Sequence, residues 1–136
     1  MPREMKTLLN IFIGLGLGLL TIIIHEELNE LKRLELTSFL LVLIGSVYYG
    51  FALLSKHKKT MVIEIIVATM FVVMGVFGLW FSPWILVIGL FLHGIWDISH
   101  HNSSFKLVKI PQWYIPFCAT YDWVIGVYLT ILYLTK

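Results

Sequence analysis

Hydrophobic residues run through this chain in long blocks that short polar segments separate. Five blocks approach the roughly 20 apolar residues that an α-helix needs to cross a bilayer core of about 30 Å. The fourth block is the shortest, and its end is polar. The pattern therefore predicts an all-α bundle of about five transmembrane helices, forming a single domain over residues 1–136. The predicted helices are Leu8–Ile24, Leu36–Leu54, Met61–Phe81, Trp84–Ser99 and Pro116–Leu134.

Composition supports a membrane location. Hydrophobic residues make up 59% of the chain and charged residues 13%, whereas soluble domains are about half apolar and about one quarter charged. The net charge of +2 gives no support for a nucleic-acid partner. A single cysteine, Cys118, excludes an internal disulfide and a multi-cysteine zinc site, and we expect it to be a small packing residue. The expected surroundings are the lipid bilayer of the cell membrane.

The distribution of basic residues predicts the orientation. If the SKHKK loop (residues 55–59) lies in the cytoplasm, alternation of the helices places seven basic residues inside and three outside. Cytoplasmic loops carry an excess of lysine and arginine, so we expect a cytoplasmic N-terminus and an exterior C-terminus. The inner set is Arg3, Lys6, Lys56, Lys58, Lys59, Lys106 and Lys109, and the outer set is Lys32, Arg33 and Lys136.

Small and polar residues recur at helical spacing and predict the faces that meet inside the bundle. Without a strong hydrophobic drive between helices in lipid, close packing uses small side chains. Glu64 and Asp122 lie on these same faces, so they are expected to face the bundle and not the lipid. In the second helix the expected inward residues are Ser38, Gly45, Tyr49 and Ala52. His25, at the other side of the membrane, is expected at an exposed helix end.

The segment HGIWDISHH, residues 93–101, contains an unusual concentration of ionisable residues at the end of the fourth helix. At 100° per residue, His93, Asp97, His100 and His101 share one helix face. An isolated charge in the bilayer centre costs several kcal/mol, on scales from about 2.5 to above 10. We therefore expect Asp97 and Asp122 to face each other across an imidazole or a cation, with Glu64 nearby. Together these residues predict one site in the cytoplasmic half of the bundle.

Imidazole and carboxylate ligands suit zinc, iron or manganese, and a bound metal ion can turn water into a nucleophile. The leading hypothesis is a metal-dependent enzyme that acts on a lipid-soluble substrate, with no other cofactor site predicted. Its predicted metal ligands are His93, Asp97, His100, His101 and Asp122. Its predicted catalytic residues are Asp97, Asp122 and Glu64.

Two other functions remain open from the sequence. The same carboxylates could form the relay of a proton- or cation-coupled transporter or channel subunit, for which a homodimer is expected because one small bundle encloses little space. Alternatively, the polar residues could hold the helices of a non-catalytic accessory subunit together. Whether the protein is an enzyme is therefore undecided at this level.

The C-terminal third resembles a known pattern. A His-Gly-x-Trp-Asp-x-x-His-His helix end precedes Pro-x-Trp-Tyr-x-Pro-Phe-Cys and Tyr-Asp, and these motifs lie within His93–Leu129. They resemble an uncharacterised family of small bacterial multi-pass integral membrane proteins. The resemblance implies a multi-pass protein of a bacterial plasma membrane and implies no activity. Histidine-box di-iron hydroxylases use many more histidines than the five present here.

The predicted orientation can be tested with fusions at the C-terminus. If SKHKK is cytoplasmic and five helices cross the membrane, Lys136 lies outside. A C-terminal alkaline phosphatase fusion should then be active, and a fluorescent fusion that folds only in the cytoplasm should be dark. The reverse pattern would mean that one helix, most simply the fourth, does not cross.

Overall fold

The computed structural model describes residues 1–101, 105 and 107–136. Asn102, Ser103, Ser104 and Lys106, one of the basic residues used to predict the orientation, lie outside the described residues. Helices account for most of the described chain, which confirms the all-α prediction. They are α1 Arg3–Glu27, α2 Glu30–Leu53, α3 Lys58–Trp80, α4 Pro83–Ser99 and α5 Tyr114–Leu134.

Four of the five helices, α1, α2, α3 and α5, are long and apolar enough to cross a membrane. Helix α4 has 17 residues and is therefore about 26 Å long at 1.5 Å per residue, shorter than a bilayer core. The α2 helix begins six residues before its predicted start because the polar turn Glu30–Glu35 is helical as well. The length of an apolar block therefore underestimates the length of a helix whose ends are polar.

Short capped turns connect the consecutive helices α1–α2 and α3–α4. The side chain of Asn29 accepts a hydrogen bond of 3.0 Å from the backbone N–H of Lys32 and so caps α2. Ser82 caps α4 in the same way, through the N–H of Trp84 at 3.4 Å. Pro83 follows as the first residue of α4, where its missing N–H needs no helical partner. The α3–α4 turn produces a helical hairpin, whereas α1 turns away from α2 and packs on α5.

Helix α4 lies at the centre of the bundle, against α2, α3 and α5. Helix α1 packs on α5 rather than on the rest of the bundle, and its other faces are apolar and exposed, as at Phe12 (60%) and Ile23 (62%). Such faces suit contact with lipid. We call the end at which α1, α3 and α5 begin and α2 and α4 end the N-terminal end of the bundle.

Glycines allow two of these helix pairs to approach closely. A Cβ atom at Gly75 of α3 would lie 2.6 Å from Val42 Cγ2 and 3.1 Å from the Ser38 carbonyl oxygen of α2. The Ser38 hydroxyl donates a hydrogen bond of 2.7 Å to the Gly75 carbonyl across this contact. In α1, a Cβ atom at Gly14 would lie 2.5 Å from the carbonyl oxygen of Phe117 in α5. The predicted role of small residues in helix packing is confirmed at these positions.

The opposite end of the bundle corrects one prediction. His25, expected at an exposed helix end, is only 1% exposed. Its Nε2 lies 2.9 Å from the Thr37 hydroxyl, which itself donates to the Arg33 carbonyl at 2.9 Å. His25 Nε2–H therefore donates to Thr37. The prediction failed because the ring is enclosed by Thr37 of α2 and by the ring of Tyr128 of α5, which it meets edge-on at 5.6 Å.

The contact of α1 with α5 gives a stability test with a control on the same helix. Gly14→Ala should lower the free energy of unfolding by about 1–3 kcal/mol, because the added methyl group meets backbone that cannot move alone. Gly16→Ala should leave it unchanged or raise it, since nothing lies within 4 Å of that Cβ position. Thermal unfolding in detergent measures both. Equal effects of the two substitutions would contradict the close α1–α5 packing.

Candidate functional site

Four buried side chains converge where α4 meets α5, toward the N-terminal end of the bundle. His93 and Asp97 are one turn apart on α4, and Cys118 and Asp122 are one turn apart on α5. Each offers one ligand atom, and all four atoms lie within 4.8 Å of one another. His93, Asp97 and Asp122 are 0% exposed and Cys118 is 1% exposed. We call these four residues the His/Cys/Asp cluster.

His93 stands between the two aspartates. Its Nδ1 lies 2.7 Å from Asp122 Oδ2, a hydrogen bond, and 3.6 Å from Asp97 Oδ2. The predicted meeting of Asp97 and Asp122 across an imidazole is therefore confirmed. The rings of Phe71 and Tyr48 meet the imidazole edge-on, with centroids 4.8 Å and 5.5 Å away. These contacts from α3 and α2 fix the orientation of the imidazole.

Tyr48 of α2 is a member of the site that the sequence did not indicate. Its hydroxyl donates a short hydrogen bond to Asp97 Oδ1, and its side chain is fully buried. The neighbouring Tyr49, predicted to face the bundle, instead pairs with the Thr69 hydroxyl at 2.8 Å in an exposed position. Helical spacing is the signal that distinguishes the two tyrosines. Tyr48, and not Tyr49, shares a buried face of α2 with Leu41, Gly45 and Ala52.

Cys118 was expected only to pack, and the structure instead places its thiol beside the aspartates. Its Sγ lies 3.9 Å from Asp122 Oδ2 and 3.4 Å from the Tyr114 hydroxyl, both within hydrogen-bonding range for sulfur. Both partners are on α5, one turn on either side. The four ligand atoms converge because α4 packs against this part of α5 and brings His93 and Asp97 to Cys118 and Asp122.

Glu64 and His100 form a second buried pair instead of joining the cluster. His100 Nδ1 donates to the Trp96 carbonyl at 2.8 Å, and its Nε2 lies 2.8 Å from Glu64 Oε1. Since both ring nitrogens face oxygen atoms, a proton must be shared between His100 Nε2 and the Glu64 carboxyl group. The ring of Tyr48, 5.2 Å from His100, lies between this pair and the cluster.

The structure brings together only three of the five predicted metal ligands. Of the predicted ligands, His93, Asp97 and Asp122 come together, whereas His100 is occupied by Glu64. His101 follows the end of α4 and is exposed. On a continuous helix, the three histidines of residues 93–101 would share one face. Because α4 ends at Ser99, the helix does not fix the position of His101.

Two carboxylate oxygens of the cluster, Asp97 Oδ2 and Asp122 Oδ1, are buried and make no hydrogen bond within the described part of the chain. Buried polar atoms are normally paired, because leaving one without a partner costs about 1–3 kcal/mol. Two carboxylates beside one imidazole also repel each other unless protons or a cation compensate them. The site is thus short of positive charge.

Comparison with known proteins gives one match. A family model described as "Family of unknown function (DUF6010)" matches residues 9–134. The match includes most of α1 and all of α2 and α3, beyond the motifs of His93–Leu129, and it includes every member of the cluster. The chain matches no curated protein and no solved structure.

The Tyr48 hydroxyl can be tested against that of its neighbour. Tyr48→Phe should lower the free energy of unfolding by about 1–3 kcal/mol, because Asp97 loses a buried donor. Tyr49→Phe removes the same atom from an exposed pair and should change stability by well under about 1 kcal/mol. Unfolding in detergent by heat or denaturant compares them. If both variants unfold alike, Tyr48 does not support Asp97.

Proposed function

The chain belongs to the DUF6010 family of unknown function, and we propose that it is an integral membrane protein whose His/Cys/Asp cluster binds one divalent transition-metal ion. The observation that carries this proposal is the convergence of four potential ligand atoms within 4.8 Å, all from buried side chains. Membrane insertion is supported by the four helices that are long and apolar enough to cross a bilayer. The proposed location is the cell membrane, with the N-terminus in the cytoplasm.

Distances support a single shared ion. Zinc lies about 2.0–2.3 Å from nitrogen, oxygen and sulfur ligands, so two ligands of one ion are at most about 4.6 Å apart. The spread of 4.8 Å in the cluster therefore requires only a small contraction. Because a protonated nitrogen cannot be a ligand, His93 Nδ1 must give up its hydrogen bond to Asp122 Oδ2 if it is the atom that binds the ion. The free oxygens of Asp97 and Asp122 supply lone pairs that no other group uses in the described part of the chain.

Charge supports the same ion. Two ionised aspartates and a neutral His93 carry a charge of −2, which a divalent cation balances within an apolar bundle. A Cys118 thiol can remain neutral or lose its proton on binding. A charge left unbalanced at this depth would cost several kcal/mol. Metal binding therefore removes the electrostatic penalty that the uncompensated aspartates impose.

The ligand types favour zinc or iron. A cysteine sulfur is a soft ligand, and imidazole suits zinc, iron and copper, whereas manganese prefers oxygen ligands. Of the three metals expected from the sequence, manganese is therefore disfavoured by Cys118. Magnesium and calcium are excluded on the same chemical ground, because they select oxygen-only sites.

The burial of the cluster favours a role in metal binding over catalysis on a lipid-soluble substrate. Catalytic zinc sites keep one position open for water or substrate, whereas structural sites are closed by four protein ligands. All four side chains of the cluster are buried, so a substrate could reach the ion only if the helices separated or one ligand, such as Asp97, left it. In the conformation seen here, the proposed ion holds α4 and α5 together.

A second function is favoured by one observation. In the absence of metal, Tyr48, Asp97, His93 and Asp122 form a continuous chain of polar groups across α2, α4 and α5. Such a chain can pass a proton, which is the step that a proton-coupled transporter or channel subunit requires. This alternative uses protons, and not a metal ion, to compensate the aspartates.

Metal analysis of the detergent-purified protein tests the proposal. The wild type should contain about one zinc or iron ion per chain. Asp122→Asn and Cys118→Ser should each reduce the bound metal by about tenfold or more, because each removes a ligand. Glu64→Gln and His25→Gln are the controls, since they alter a buried carboxyl group and a buried imidazole outside the cluster, and both should keep the metal.

The outcomes separate the two functions. Wild-type protein that stays metal-free after incubation with zinc and with ferrous iron would overturn the metal centre. The proton relay would then be examined by proton flux in vesicles, where Asp97→Asn should abolish transport and Tyr49→Phe should not. Loss of metal from the control variants as well would assign the ion to a site outside the cluster.

A further inference from the structure

A groove lies on the side of α5 that faces away from the His/Cys/Asp cluster. It has a volume of about 310 Å³ and runs between α1, α5 and the end of α4. We call it the α1–α5 groove. Thr120 lines it and lies beside Gly14, where α1 and α5 come into contact. Cys118 and Asp122 face α4 instead, so the groove is a separate feature from the cluster.

The groove is polar at one end and apolar at the other. Arg3 begins α1, His101 follows α4 and Gln112 precedes α5, so all three lie at the N-terminal end of the bundle. The walls farther along the helices are apolar. They include Ile11, Ile115 and Trp123, the last of which is 42% exposed.

The polar end carries positive charge that no carboxylate balances. None of the described residues lining the groove is acidic. A second groove shares Arg3 and Gln112 with the first and adds Lys6. Within the described part of the chain, Arg3 and Lys6 form no ion pair, whereas Arg33 and Lys136 at the opposite end each face a glutamate. An anion is therefore the complementary ligand at this end.

The groove is longer than a small free anion would need, which indicates a ligand with an apolar part as well. Ile115 and Trp123 are eight residues apart on α5, which is about 12 Å along the helix axis. A ligand that fills it must place an anionic group beside Arg3 and an apolar chain beside Ile11 and Trp123. Because α1, α4 and α5 all lie in an apolar bundle, that chain would run in the direction of the lipid tails.

From these observations we propose that the α1–α5 groove binds an anionic phospholipid of the leaflet that meets the N-terminal end of the bundle. The phosphate group lies between the side chains of Arg3 and Lys6, and Gln112 and His101 offer hydrogen-bond donors. One acyl chain runs over Ile11 toward Trp123. The site needs membrane insertion but does not depend on the metal centre.

Native mass spectrometry of the full-length protein, with added phosphatidylglycerol or phosphatidylcholine of the same acyl chains, tests the headgroup. The wild type should retain phosphatidylglycerol roughly 5- to 30-fold better, as two basic side chains near the phosphate imply. The double variant Arg3→Gln/Lys6→Gln should lose this preference. Lys56→Gln/Lys58→Gln removes the same charge from residues outside the groove, and it should keep the preference.

Fluorescence locates the acyl chain. Phosphatidylglycerol with brominated acyl chains should quench the wild type more than brominated phosphatidylcholine does, and Trp123→Phe should remove most of that difference. Equal retention of the two lipids by the wild type would overturn the proposal. So would an equal loss in both double variants, which would indicate general surface charge, or an unchanged quenching difference in Trp123→Phe, which would place the lipid elsewhere.

Discussion

Two aspartates in the middle of an apolar bundle set the constraint on which this structure depends. Neither Asp97 nor Asp122 is exposed, and each would destabilise the bundle by several kcal/mol if it stood alone as a charge. The fold brings both carboxylates to one imidazole, at 2.7 and 3.6 Å, and adds a phenol and a thiol around them. The remaining lack of positive charge is what a divalent cation or additional protons would supply.

The position of α4 follows from this constraint. It is the shortest of the helices, and it carries two members of the cluster together with His100. If α4 faced lipid, its ionisable side chains would find no partner there. Placed between α2, α3 and α5, it receives Tyr48 from one neighbour, Glu64 from another and Asp122 from the third. The outer helix α1 carries little buried polarity and is free to present apolar faces.

The two ends of the bundle use polar groups differently. At the opposite end, a hydrogen bond between His25 and Thr37 joins the end of α1 to α2, and nearby glutamates pair with Arg33 and Lys136. At the N-terminal end, Arg3 and Lys6 lie beside a groove and form no ion pair with any described residue, while Glu64, Asp97 and Asp122 are buried inside the bundle. This difference separates an exposed groove from an enclosed site within 136 residues.

The sequence by itself determined the helical class and the inward direction of Glu64 and Asp122, because apolar length and helical phase are local properties of the chain. It predicted five membrane-spanning helices, and four of the five helices are long and apolar enough to cross a membrane. It also indicated that Asp97 and Asp122 meet, since burial leaves two such charges few alternatives. Only the tertiary structure decided that Tyr48 rather than Tyr49 and Cys118 rather than His100 belong with them. Those choices depend on the rotation of α2 and on the distances between α4 and its neighbours, which interhelical packing sets and no local pattern encodes.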